Sequence, residues 1–174
     1  MMKKSAFLFL LALAACNSPE YKAAPGQPEY FNLKGYFQQE ASALQKRNPI
    51  VKKTVVANGG AETKDIKIAS WTKELSSFID ADINKRAWAG EFQKATTDST
   101  ETYTSHNEKV PVKQVRIYKN NKQISGVQIF IKNDNYLYTS TDTLSYYPGK
   151  RYEVRKTQHI KLMQKKEYRI TGVF

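Results

Sequence analysis

The sequence predicts an α+β domain in which two amphipathic helices pack on a twisted antiparallel sheet of about seven to eight strands that ends in a long meander. Three observations predict it. Apolar residues recur every three or four positions in two early stretches, and they recur every second position from Val112 to the end. The alternating stretches are joined by turns too short for anything but antiparallel pairing.

The first helix is read between Glu29 and Arg47, where Tyr30, Leu33, Phe37, Ala41 and Leu44 share a face. Asn48-Pro49 ends it, because proline lacks a donor and disfavours helical geometry in the residue before it. Ile50 to Ala57 and Glu62 to Ile68 read as a hairpin closed by Asn58-Gly59-Gly60. Ser70 then caps a second helix that carries Trp71, Leu75, Phe78, Ile79 and Ile83 on one side. Asp80, Asp82 and Asn84 lack the glycine and the distal glutamate of a calcium loop. Trp88 and Phe92 pack the exit of this helix. Ala95 to Ser105, rich in Thr and Ser, is either a polar strand or a mobile loop. In the meander, Val115 and Ile117 lead through Asn120-Asn121 to Ile124–Ile131, and Asn133-Asp134-Asn135 turns the chain into Tyr136–Tyr147. After Pro148-Gly149, Tyr152, Val154, Ile160 and Leu162 lie on the even face of a long strand and Arg151, Glu153, Arg155, His159 and Lys161 on the odd one. A last turn over Gln164 to Lys166 leads to Tyr168, Ile170 and Phe174.

Three segments organise the 174 residues: an export signal over 1–15, a flexible tether over 16–28 and a single α+β domain over 29–174. Lys3 and Lys4 precede an apolar run from Ala6 to Leu13, which is too short to cross a bilayer as a helix. Cys16 is the one cysteine, so no disulfide can staple the domain. The tether is Ser, Pro, Ala, Gly and Gln with little that can pack. Leu13-Ala14-Ala15-Cys16 resembles the lipobox of bacterial lipoproteins. That resemblance implies that Cys16 is diacylated and becomes the first residue after cleavage. Asn17 is not an aspartate, which by the enterobacterial rule implies an outer-membrane destination.

The formal charge is +12, and residues Lys109 to Phe174 hold 14 Lys and Arg against 4 Asp and Glu, a difference of +10. For an exported chain this points to anionic glycolipid or an acidic envelope protein as partner, and away from nucleic acid. A lysine-rich sheet surface also resists edge-to-edge aggregation. Tyr118, Tyr136, Tyr138, Tyr146, Tyr147, Tyr152 and Tyr168 bring rings with polar tips to the same portion. Those at even positions are expected in the core. Tyr147, on the odd face beside Pro148-Gly149, is expected to be exposed, and with Arg151, Arg155 and Lys161 it forms the candidate binding set. No nucleophile elbow, metalloprotease helix or phosphate-cradling glycine loop is present. His106 and His159 are far apart, and a hydrolase would need a cleft bringing one of them to a carboxylate and a nucleophile. The expectation is therefore a protein that is not an enzyme and uses no cofactor or metal.

Phe31-Asn32-Leu33-Lys34-Gly35-Tyr36-Phe37-Gln38-Gln39-Glu40, the pattern Trp71-x-x-Glu74-Leu75-x-x-Phe78 with Asp82-Ile83-Asn84, and the tyrosine-rich meander together resemble a group of small lipoproteins of Bacteroidota. The resemblance spans nearly the whole domain and implies compartment and architecture, with no activity and no functional residues. In that phylum an acidic run after the cysteine marks surface export. Ser18-Pro19-Glu20-Tyr21-Lys22 has a single acid, which implies a periplasm-facing position. Two functions compete: an envelope-anchored accessory module that binds through a basic sheet face, and a lipid or acyl-chain carrier resembling lipoprotein-localisation factors, which requires an apolar cavity of some hundreds of Å³ between sheet and helices.

Overall fold

The computed structural model describes residues 29–174 except Asn58 and Leu162, so the signal and tether segments lie outside the described residues. The first helix, α1, runs from Leu33 to Arg47. It begins four residues later than the apolar spacing suggests because Asn32 caps it, its side-chain oxygen accepting from the Gly35 N–H at 2.9 Å. Asn48 ends it in left-handed geometry, with φ 45°. The hairpin follows as β1 (Ile50–Ala57) and β2 (Gly60–Lys67).

The second helix is broken in two, α2 (Trp71–Glu74) and α3 (Ser76–Asp80). Leu75 leaves helical geometry (φ −95°, ψ 12°), and its carbonyl accepts from the N–H groups of both Phe78 and Ile79. The kink falls at Leu75-Ser76-Ser77, where two serines that compete for backbone hydrogen bonds weaken the helix. It keeps Trp71, Leu75 and Phe78 all buried.

Nine strands form one antiparallel sheet, against the seven to eight expected. The polar Ala95–Ser105 stretch contributes β4 (Thr100–Thr104), and β3 (Gln93–Thr96) pairs with it along the sheet edge. The meander then runs β5 (Val112–Asn120), β6 (Gln123–Asp134), β7 (Tyr138–Tyr147), β8 (Arg151–Ile160) and β9 (Lys166–Val173). Across the sheet the order is β2-β1-β9-β8-β7-β6-β5-β4-β3, so the last strand pairs with the first. Two turns differ from expectation. Tyr136 and Leu137 belong to the β6–β7 loop and not to β7, and the β8–β9 connection spans Lys161–Lys165, three residues earlier than Gln164–Lys166.

Cross-strand register sets the core. One row reads Val55, Ile170, Val154, Leu144, Ile129, Val115, Tyr103, and the next reads Lys53, Gly172, Tyr152, Tyr146, Val127, Ile117. All three helices belong to the buried cluster on this face. Phe37 lies 4.8 Å from Phe78 and 5.3 Å from Tyr146, and Trp71 lies 5.6 Å from Phe174. The even-numbered tyrosines expected in the core divide: Tyr146 and Tyr152 are fully buried, whereas Tyr136, Tyr138 and Tyr168 are exposed, and Tyr118 lies on the other face because β5 turns its odd residues Val115 and Ile117 inward. Asn84, which sits in the dismissed calcium pattern, is a clasp. Its side chain accepts from the Tyr30 N–H at 2.8 Å and donates to the Phe31 carbonyl at 3.1 Å, fixing the chain that enters α1.

Candidate functional site

The sheet has one helix-packed face and one open face, and each offers a site. On the open face the odd residues of β8 and β9 meet their partners in register. Arg155 stands directly opposite Arg169 on one side and Thr143 on the other, and the same row continues to Phe130 through β6. Directly opposed residues have Cβ atoms about 5 Å apart, where like charges repel. Only one of the two guanidiniums is compensated among the described residues: Arg155 donates to Glu153 at 2.9 Å. A depression of about 550 Å³ beside the pair is bordered by Val56, Gly59, Thr157 and Glu167. Arg116 adds a further cation, its guanidinium 5.6 Å from the Phe130 ring centre. Two arginines paired in register, both bordering this depression with Thr157 beside them, make a site for a phosphate, sulfate or carboxylate group.

The four residues expected to form the binding set do not converge. Tyr147 and Arg151 are cross-strand partners at the start of β8, with the guanidinium 5.1 Å from the ring centre. Tyr147 is half-buried, which corrects the expectation of an exposed ring. The reason is Gly126, which lacks a side chain that would sit 3.2 Å from the Tyr147 ring and lets the aromatic lie on the sheet. Arg155 lies in the middle of the strand. Lys161 lies beyond its far end, about 33 Å from Arg151 at the rise of an extended strand, with its ammonium 4.2 Å from the Tyr136 ring centre. Arg169 takes its place at the centre of the face. The odd face is also less uniformly basic than its alternation suggests, since Glu153 and Glu167 interrupt the arginines.

On the helix side, α2 and α3 overhang a groove of about 320 Å³ floored by Ile131, Leu144, Val154 and Ile170. Its wall is ionic. Lys53 bridges both carboxylate oxygens of Glu74, at 2.7 and 2.9 Å, and the Tyr152 hydroxyl donates a short hydrogen bond to the same carboxylate. Burial, and then this bond to an anion, raise the Tyr152 phenol well above its ordinary range. Opposite, Asp142 has one oxygen 3.4 Å from the Lys156 ammonium and the other buried without a hydrogen-bond partner among the described residues. Apolar and charged side chains of the sheet therefore line the groove side by side.

His106 borders a third depression, of about 450 Å³, with Ser105, Glu108 and Asp134. Ser105 is buried and its hydroxyl oxygen accepts from the Asn107 N–H, so no hydrogen bond joins it to His106 among the described residues. His159 is on the open face opposite Thr139. Among the described residues no group of three His, Cys, Asp or Glu side chains is placed to hold a metal ion, and no helix is long and apolar enough to cross a membrane. No family model, curated relative or solved structure matches the chain.

Proposed function

We propose that the protein is a non-enzymatic, envelope-anchored lipoprotein that binds the head group of an anionic glycolipid through the open face of its sheet. The observation that carries this reading is the Arg155–Arg169 pair. Opposed arginines destabilise a sheet unless something else benefits from them, and a phosphorylated or carboxylated sugar between them removes the repulsion while gaining charge-assisted hydrogen bonds. Around them Thr143, Thr157 and Thr171 supply hydroxyls, and Phe130, Tyr118 and Tyr147 supply rings on which a sugar can lie. A diacylated Cys16, destined for the outer membrane and facing the periplasm, would keep this face near such lipids.

The carrier reading is weaker. The groove between sheet and helices has the apolar floor a carrier needs, but an acyl chain lying there would cover Asp142 and Glu74 without offering either a donor, and burying a carboxylate against hydrocarbon is costly.

The test is retention of envelope glycolipid by the immobilised whole protein at rising salt. Wild type should retain it at low ionic strength and release it as salt screens the arginines, and Arg155→Glu/Arg169→Glu should fail to retain it at any salt. Equal retention by both proteins, or retention of envelope protein alone, contradicts the reading.

A further inference from the structure

We propose that the end of the sheet built from the β6–β7 and β8–β9 tips rests in the head-group layer of an anionic phospholipid bilayer. Large apolar side chains are exposed there: Tyr136 is 83% exposed, Leu137 66% and Met163 50%. They belong to one surface. Tyr138 pairs with Ile160, and the Lys161 N–H donates to the Leu137 carbonyl at 3.0 Å, which ties the two tips together. The loop that carries Tyr136 and Leu137 is held in shape, because Asn135 Oδ1 accepts from the N–H groups of both Leu137 and Tyr138, at 2.9 and 3.0 Å.

The chemistry of the rim selects a lipid surface. Lys161 lies over the Tyr136 ring and Lys165 and Lys166 lie beside Met163, and among the described residues the one ion pair these lysines make is Lys165 with Glu167 at 2.7 Å. Lysines at a bilayer lay their methylenes along the apolar layer and keep the ammonium among anionic head groups. Tyrosine suits the same depth, since its ring is apolar and its hydroxyl is wet. The patch sits on two projecting hairpin ends, and a protruding apolar tip fits a fluid surface that deforms around it.

The way the chain enters the domain agrees. Glu29 and Tyr30 are fastened beside β3, the Gly90 N–H donating to Glu29 at 3.3 Å and the Phe92 N–H to the Tyr30 hydroxyl at 3.3 Å. Gln93, at the start of β3, pairs with Thr104 at the end of β4, which is the end of the sheet where β6 finishes and β7 starts. Cys16 precedes Glu29 by 13 residues, and such a length reaches at most about 45 Å. An acyl anchor on Cys16 therefore enters the domain at the end of the sheet that carries the tip. The contact is distinct from the Arg155–Arg169 face, which it would leave standing beside the membrane and open to ligand.

The experiment uses the whole protein purified from its envelope and reconstituted into vesicles of phosphatidylglycerol and brominated phosphatidylcholine, with wild-type emission from Trp71 and Trp88 subtracted. Leu137→Trp places a fluorophore at the tip and Lys122→Trp places one at the β5–β6 turn on the opposite end. Tryptophan at 137 should be quenched at least five-fold more strongly than at 122, with emission shifted to the blue, and Lys161→Glu/Lys166→Glu should cut that ratio by half or more. Arg155→Glu/Arg169→Glu should leave it unchanged, so failure of the glycolipid reading and failure of the bilayer contact are told apart. Equal quenching at 137 and 122, or a ratio indifferent to Lys161→Glu/Lys166→Glu, overturns the proposal. Thermal unfolding matching wild type identifies the variants that remain folded.

Discussion

Gly172→Ala is the smallest change that should damage the core, and its sign is opposite to the usual one. Alanine in place of a strand glycine ordinarily stabilises by about 0.4–1 kcal/mol, because it restricts the unfolded chain. At 172 the added methyl would lie inside the ring of the cross-strand partner Tyr152, 2.6 Å from its hydroxyl oxygen and nearer still to ring carbons. That ring cannot retreat: it is 1% exposed, its centre is 6.3 Å from both Trp71 and Phe174, and its hydroxyl is bonded to Glu74. Overpacking of this kind costs about 1–3 kcal/mol, and displacing a hydrogen bond to a charged group adds about 1.5–3 kcal/mol. The sum, roughly 2.5–6 kcal/mol, should lower Tm by on the order of 10 °C in a domain of this size. Calorimetry of wild type, Gly172→Ala, Tyr152→Val and the double variant closes the cycle. Gly172→Ala should become neutral or stabilising once Tyr152 is Val. A Gly172→Ala protein as stable as wild type, or one equally destabilised without the Tyr152 ring, refutes the reasoning.

Three further outcomes follow from the geometry. Burial raises the phenols of Tyr36, Tyr146 and Tyr152 far above the usual value and, with the nearby Glu101 carboxylate, pushes Tyr103 up to about 12. Unfolded tyrosines ionise near pH 10, so stability is intact below that and falls as pH rises. Phenolate absorbance should show four of the 11 tyrosines titrating together with unfolding, and four ionising in the native state would contradict this packing. Glu101 has the opposite sign: Lys119, 2.6 Å away, holds its carboxyl below the ordinary range, so its contribution is present above about pH 4.3 and fades as pH falls. Glu101→Gln should therefore cost ~0.5–1 kcal/mol at pH 7 and nothing near pH 2 by chemical denaturation, and a pH-independent difference would remove the ion pair from the account. Mass spectrometry of the protein from its native host should find the amino terminus at an acylated Cys16, and an intact unmodified Met1 would contradict the anchor.

Alternation and helical spacing made most of the fold legible. Leu33, Phe37, Ala41 and Leu44 are the buried stripe of α1, and Val127, Ile129 and Leu144 are core. The β3–β4 hairpin is ambiguous in sequence because Gln, Lys, Glu and Thr make up most of both short strands at the sheet edge, leaving no apolar period to read. The pairing of β1 with β9 joins residues more than a hundred positions apart and has no local signal. Arg169 is hidden by the placement of one turn: β8 and β9 pair residues whose numbers sum to 324, Arg155 with Arg169, whereas a turn over Gln164 to Lys166 leaves Arg155 facing nothing. The same three-residue shift, with the two-residue shift at the start of β7, moved Tyr136, Leu137 and Met163 from strands or turns of no note to an exposed tip. The groove was out of reach for another reason, since Glu74, Lys53, Tyr152 and Asp142 come from four separate elements.

The claim that the open face binds an anionic head group is tested most directly by amide chemical shifts during titration with a phosphorylated glycolipid head group freed of its acyl chains. The account predicts saturable shifts centred on Thr143, Arg155, Thr157 and Arg169 that Arg155→Glu/Arg169→Glu abolishes. Shifts gathered instead around Lys53, Glu74 and Asp142, or no saturable shifts at all, would contradict it.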